Sequence, residues 1–278
     1  VETYHPDRDE HSVDRLTIAA HLRRAIDDGD IEVHYQPMVR LFDGATTGAE
    51  ALVRWHHPER GAVRPDDFIS VAERTGLIRP LTTHVLRTAL AQCHEWRTAG
   101  HDMTVAVNLS VRSLLDLELP DDVSRIIDES GAQPGWLTFE ITESTIMDSR
   151  RGMSVLERLS ELGVKLSIDD FGTGYSSLAY LQRLPVHELK VDQSFVMAMD
   201  DDPQNASIVR TVIDLAHNLG LRVVAEGVET QLGWEALSAM DCDTCQGFLL
   251  SRAIPGEVLT TWLQERSAAI RPLLITAV

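Results

Sequence analysis

A chain of 278 residues, 44% hydrophobic and 24% charged, has the composition of a folded globular protein and the length of one large α/β domain rather than two. Its formal net charge of -18 argues against a DNA or RNA polymer as partner, because such binding draws on many lysine and arginine contacts. Three cysteines are too few for a disulfide scaffold and no apolar run is long enough to span a bilayer, so the chain reads as cytoplasmic, with any membrane anchor left to other parts of a longer parent protein.

Residues 1–14 are polar and acidic (His5, Pro6, Asp7, Arg8, Asp9, Glu10) and read as a linker left from an upstream domain. Leu16, Ala19, Ala20, Leu22 and Ile26 then recur at helical spacing and predict a helix over 15–26. Strands follow at 31–37 and 47–53, separated only by a turn at Asp43 and Gly44 that leaves no room for a helix, so this pair reads as a hairpin. Further strands are expected at 103–108, 137–141, 164–169, 187–191 and 222–226, with a poorer one at 244–248. Between them lie helices at 81–98, 121–129, 153–162 and 208–219, each closed by a glycine (Gly100, Gly131, Gly163, Gly220) suited to the left-handed position after a last turn. Alternation of this kind implies crossover connections and a parallel sheet, here a TIM-like barrel that the initial hairpin makes depart from strict eightfold repetition. One domain is expected over 15–267, with 268–278 as a tail interrupted by Arg271 and Pro272.

The apolar runs share a peculiarity: they end in Glu50, Asn108, Glu140, the pair Asp169 and Asp170, Lys190, Glu226 and Gln246. Acids seldom sit buried unless paired or bound to a cation. If the runs are parallel strands of one closed sheet, all these groups meet at its C-terminal rim, where barrels of this type keep their active sites. Carboxylate and carboxamide oxygens suit hard cations such as Mg²⁺ or Mn²⁺, and Asp169 is the choice for a carboxylate bridging two of them. Gly172 and Gly174 are expected to supply the break that turns Asp169 and Asp170 toward one pocket. Lys190 among carboxylates would stay charged and hold a hydroxide or a phosphate oxygen, Glu226 would bind metal or accept a proton, and Arg54 offers a planar fork to phosphate. Taken singly, each acid could be a helix cap or a surface ion pair, and Asn108 a turn residue; their joint placement at strand ends weighs against those readings. His56 and His57, expected on a loop beside Pro58 and Gly61, lack metal-ligand spacing, and Cys242 and Cys245 read as small residues packed beside a strand.

These motifs together resemble the EAL-domain family of cyclic di-GMP phosphodiesterases. Glu50-Ala51-Leu52-Val53-Arg54 matches the signature that names the family, and Tyr35-Gln36-Pro37, Asn108-Leu109-Ser110, Glu140-Ile141-Thr142-Glu143, residues 169–177, Lys190-Val191-Asp192, 225–229 and Gln246-Gly247-Phe248 match in order. The resemblance implies a modified (β/α)8-like barrel with one antiparallel strand and two-metal hydrolysis of one phosphodiester of cyclic di-GMP to linear pGpG with Mg²⁺ or Mn²⁺. It implies that Glu50, Asn108, Glu140 and Asp169 hold one ion and Asp169, Asp170 and Glu226 surround a second. It also implies that Lys190 positions water, Gln36, Leu52 and Arg54 touch nucleotide, Gln246 orients water or ligand, and Glu143 pins the loop at 171–177. A homodimer and an upstream GGDEF or sensor domain are expected as partners. Two rivals stay open, a receptor that binds the dinucleotide without cutting it usefully and, from the carboxylates alone, a glycosidase.

Overall fold

A computed structural model describes residues 6–143, 150–174 and 181–275. The chain enters through α1 (Pro6–Asp28) and doubles back as the hairpin β1 (Ile31–Arg40) and β2 (Thr46–His57), with β3 (Gly61–Val63) folded onto the end of β2. Helices and strands then alternate: α2 (Pro65–Thr75), α3 (Ile78–Thr98), β4 (Thr104–Asn108), α4 (Val111–Leu114), α5 (Leu119–Ser130), β5 (Leu137–Thr142), α6 (Arg150–Glu161), β6 (Lys165–Phe171) and β7 (Glu188–Val191). The remainder is α7 (Gln193–Ala198), α8 (Pro203–Asn218), β8 (Arg222–Ala225), α9 (Gln231–Ala239), β9 (Thr244–Cys245), β10 (Ile254–Pro255) and α10 (Gly256–Ile275).

Strands β2, β4, β5, β6, β7, β8 and β9 pair in that order as parallel neighbours, and β1 closes the ring by pairing antiparallel with both β2 and β9. The result is a closed eight-stranded barrel with one strand reversed. The reversal follows from the turn the sequence predicts there: Gly44 N–H donates to the Arg40 carbonyl at 2.9 Å and Asp43 Oδ1 accepts from Ala45 N–H at 3.0 Å, leaving too few residues for a crossover.

Side-chain alternation decides where the core lies. On β5 through β8 the residues Leu137, Phe139, Ile141, Leu166, Ile168, Leu189, Val191, Val223 and Ala225 join one apolar core with the surrounding helices. Their alternates Thr138, Glu140, Ser167, Asp169, Glu188 and Lys190 are polar and take the other face, the barrel interior. Inside, Met38, Ala106 and Val224 form a separate small apolar cluster. The outer core is dense: α3 places Leu86, Ala89, Leu90, Cys93 and Trp96 against the barrel, Tyr35 packs edge-on to Trp96 at 5.0 Å, and Trp96 Nε1–H donates to Thr260 Oγ1 at 2.9 Å. Burying each large apolar side chain of this kind contributes about 1.5–3 kcal/mol.

Several boundaries differ from the sequence reading. Helix α1 begins at Pro6, inside the stretch expected as linker, because Pro6 and the acids Asp7, Asp9 and Glu10 suit a helix start and no glycine interrupts the run that follows. Helix α2 and strand β3 have no counterpart in the expectation, and β2 runs on to His57, so His56 and His57 lie on a strand and not on a loop. Helix α10 continues to Ile275 through the expected tail, carried by good helix formers such as Ala268 and Ala269. Strand β9 stops at Cys245, short of the expected 248. No helix among the described residues is long and apolar enough to cross a membrane.

Candidate active site

Registered neighbours on adjacent parallel strands point to the same face, so the strand register fixes which side chains share the interior. Glu50 stands beside Ala106, and Asn108 beside Glu140, which stands beside Ser167. Asp169, at the end of β6, and Lys190, on β7, are close enough to these to meet them across the barrel: Lys190 Nζ lies 2.6 Å from Glu226 Oε1, 3.0 Å from Glu140 Oε2, 3.0 Å from Asp169 Oδ1 and 3.6 Å from Glu50 Oε2. Glu50 is held from both sides, since Asn108 Nδ2 donates to its Oε1 at 2.7 Å and Gln246 Nε2 to its Oε2 at 2.7 Å. Gln246 Nε2 also reaches Gln36 Oε1 at 3.0 Å, and Gln36 Nε2 donates to the Ser251 carbonyl at 3.1 Å. Strands β1, β2, β4, β5, β6 and β7 and the segments after β8 and β9 thus deliver one constellation.

The electrostatics follow from burial. Lys190 is fully buried at 0% exposure and Glu140 nearly so at 1%. Burial alone would lower the Lys190 pKa, but Glu140, Glu50, Glu226 and Asp169 together outweigh it and hold the ammonium well above its ordinary value. Burial would likewise raise Glu50, yet Lys190 and the hydrogen bonds from Gln246 and Asn108 prevail and keep it lowered. Glu140 lacks such donors: burial and then the Glu50 charge push it well above the ordinary carboxyl range against the pull of Lys190. Glu226 is pushed to about 7, by burial first and then by Asp169 and Glu50, with Lys190 opposing. Asp170 is pushed to about 6 by burial, by Asp169 and by Asp192, to which it is hydrogen-bonded. One ammonium therefore serves several carboxyls, and the cluster remains short of positive charge.

A cavity of about 460 Å³ opens above this cluster, lined by Gln36, Glu50, Leu52, Arg54, Asp169, Glu226 and Gln246, with Phe248 and Arg252 at its wall. Arg54 is among the lining residues, and of its five N–H donors one on Nη1 is given to the Val53 carbonyl at 2.9 Å. The break that turns Asp170 inward is in Asp170 itself, whose φ is +54°, at an irregularity in the pairing of β6 with β7 between Ile168 and Phe171; this corrects the assignment of that break to Gly172 and Gly174. Gly174 serves a different end: a Cβ there would lie 2.6 Å from Glu143 Oε1. Glu143 stands outside the cavity and accepts from Gly172 N–H at 3.2 Å, at the base of the loop whose residues 175–177 lie outside the described ones. Gly247 lets the chain cross Val228 closely, since a Cβ would meet the Val228 carbonyl at 2.1 Å, and this crossing sets Gln246 against Glu50.

Arg252 goes unremarked in the sequence reading, and Asp192 and Phe248 enter it only as members of matched motifs, with no role given. Asp192 caps α7, accepting from Ser194 N–H at 3.0 Å, and Arg252 stacks over the Phe248 ring at 4.0 Å. Only the Lys-x-Asp spacing could have drawn attention to Asp192, whereas the stacked pair depends on loop path. His57 is buried at the end of β2 and bonds His21 Nδ1 through Nε2 at 2.7 Å, away from the cluster. Cys242 and Cys245 are buried free thiols whose pKa values burial raises, that of Cys245 to about 12.

The donor set fits divalent cations of the magnesium type. Asp169, Asp170 and Glu226 each offer an oxygen within 4.8 Å of the other two. Both oxygens of Glu140 and Oδ1 of Asp169 are buried with no hydrogen-bond donor among the described residues, so a cation would meet oxygens that have only the Lys190 charge for company. Glu50, hydrogen-bonded to Asn108, and Glu140 share the Lys190 ammonium with Asp169 and bring further oxygens near it.

A reversed-strand barrel with acids gathered at its C-terminal mouth defines a class, and residues 19–253 match the EAL domain model. The chain belongs to the EAL domain family. It is 43% identical over 248 residues to the bifunctional diguanylate cyclase/cyclic di-GMP phosphodiesterase MucR of Pseudomonas aeruginosa, an alignment covering 88% of this chain and 36% of that protein. It is also 43% identical over 261 residues to the cyclic di-GMP phosphodiesterase NbdA of the same organism, covering 93% and 33%. The solved PaMucR phosphodiesterase in complex with c-di-GMP superposes with a TM-score of 0.83 at 43% identity, over 87% of this chain and 99% of that one. The chain spans about a third of the length of these two curated relatives.

Proposed function

We propose that this chain hydrolyses one phosphodiester bond of cyclic di-GMP to linear pGpG with the help of two Mg²⁺ or Mn²⁺ ions. The observation that carries the reading is that Glu50, Asp169 and Glu226 line one cavity and are joined by Asn108, Glu140 and Asp170 through hydrogen bonds, the shared Lys190 ammonium and oxygen proximity, in a chain 43% identical to a relative solved with c-di-GMP. Glu50, Asn108, Glu140 and Asp169 would hold one ion, and Asp169, Asp170 and Glu226 the other. When bound, such ions lower the pKa of water and offset charge on the attacking and leaving oxygens. The chain's own contribution is positioning: Gln246 and Asn108 fix the two oxygens of Glu50, Lys190 brings a positive charge to the floor, and Gln36, Leu52 and Arg54 form the wall a nucleotide would meet. Glu143 holds the base of the loop carrying Gly172. We further take residues 15–267 as the working unit, joined upstream to a GGDEF or sensor domain and pairing as a homodimer.

Chromatography of the nucleotide after incubation with Mn²⁺, with and without chelator, tests the reading. Linear pGpG should form with Mn²⁺, disappear with chelator, and fall at least about 1000-fold in Glu50→Ala. Binding of cyclic di-GMP with no product would leave a receptor instead, and product formation that chelator does not touch would remove the metal role.

A further inference from the structure

We propose that Lys190 is a built-in counterion for the site in its cation-free state, and that binding of divalent cations releases it from the carboxylates it then holds. The inference rests on the proposed function only for the identity of the cations. Three observations carry it. First, Nζ lies within 2.6–3.6 Å of oxygens from four carboxylates that come from four separate strands or strand ends, so a single tethered charge ties β2, β5, β6 and the segment after β8 together. Secondly, Lys190 is fully buried, so its charge is answered by these carboxylates and not by water. Thirdly, its contacts overlap the group that could take a cation: of Asp169, Asp170 and Glu226, it pairs with two.

Lys190 and an arriving divalent cation therefore neutralise the same oxygens. Each oxygen given over to the cation is one that no longer restrains the ammonium, and a positive ion beside it repels it. The ordering has a functional edge. While its charge is spent on four carboxylates, Lys190 has little to offer a phosphate or a water molecule; once those acids are taken by cations, the ammonium becomes available at the floor of the cavity. Lys190 would then report metal loading to the substrate position, and the unloaded site would stay folded without exposing an uncompensated acidic cluster.

The test compares thermal unfolding of the wild type and Lys190→Met in chelator and in saturating Mg²⁺, together with NMR of the lysine Nζ–H₃ signals. Removing one partner of a buried ionic cluster is strongly destabilising, so the variant should melt lower than wild type by about 6 °C or more in chelator. The deficit should shrink in Mg²⁺, giving the variant the larger metal-induced gain. A variant that folds only in Mg²⁺ supports the inference; equal melting in chelator, or an equal gain, overturns it. In the wild type, the Lys190 Nζ–H₃ signal, assigned by its absence from the variant or from Lys190→Arg, should be slow to exchange in chelator and exchange at least tenfold faster in Mg²⁺. A signal unchanged by Mg²⁺ overturns the release. These readings do not involve nucleotide, so loss of pGpG formation in the wild type would sink the proposed function while leaving this inference to stand or fall by itself.

Discussion

The two mouths of the barrel hold cavities of similar size but opposite character. The C-terminal one measures about 460 Å³ and the N-terminal one about 370 Å³, the latter lined by Arg40, Thr104, Thr138, Glu188, Arg222 and Asp243 among others. At the N-terminal mouth the charges are matched nearby: Arg40 pairs with Asp43 at 3.1 Å, Arg222 with Glu188 at 3.5 Å, and Asp243 Oδ2 accepts from His217 Nε2 and Val223 N–H at 3.0 and 2.9 Å. At the other mouth one ammonium answers four carboxylates, and Glu140 keeps both oxygens without a donor among the described residues. A polar lining alone thus says little. The ratio of positive to negative charge, more than polarity, separates the two mouths.

The largest break in this contrast should come from matched substitutions in one row of the sheet, where Glu140 stands beside Ser167 and Ser167 beside Glu188. Glu140→Gln should cut pGpG formation at least about 1000-fold, while Glu188→Gln, at the opposite end of the row, should leave it within about threefold in the same assay. Comparable losses would mean that the two ends are not functionally distinct. A smaller effect is expected behind the cavity: Glu143→Ala removes the acceptor of Gly172 N–H and should raise the Mn²⁺ concentration for half-maximal activity by about 10–100-fold, with the melting temperature in chelator little changed. An unaltered metal midpoint would detach Glu143 from the loop. The smallest effect should be Arg222→Ala, whose side chain is 55% exposed and whose pairing with Glu188 is long; urea denaturation should show a loss of no more than about 1 kcal/mol.

Much of this was legible in the chain itself, for identifiable reasons. Asp43 and Gly44 between two apolar runs announced the reversed strand, and an acid or amide at the end of run after run announced the crowded mouth. What escaped the reading depends on features that are not local. The four-way pairing of Lys190 exists only because the ring closes and brings β2 round to β7; no spacing encodes it. The inward turn of Asp170 comes from a φ of +54° at a pairing irregularity, a conformation not announced by the residue type. Helix α2 did carry a signal, Pro65 with Asp66 and Asp67 at its start and Gly76 at its left-handed end, but its buried Phe68, Val71 and Ala72 make a stripe too short to stand out.

The reversal of β1 has a mechanical consequence. Because that strand runs downward from the mouth, Ile31 pairs with Trp55 and Gln36 with Glu50, so α1 hands the chain to the wall at the rim where the acids gather and not at the far end. The strand that α1 enters directly is thus the one that carries Gln36 and, across one rung of pairing, faces Glu50. The N-terminal helix is in that sense a handle fixed to the lip of the vessel.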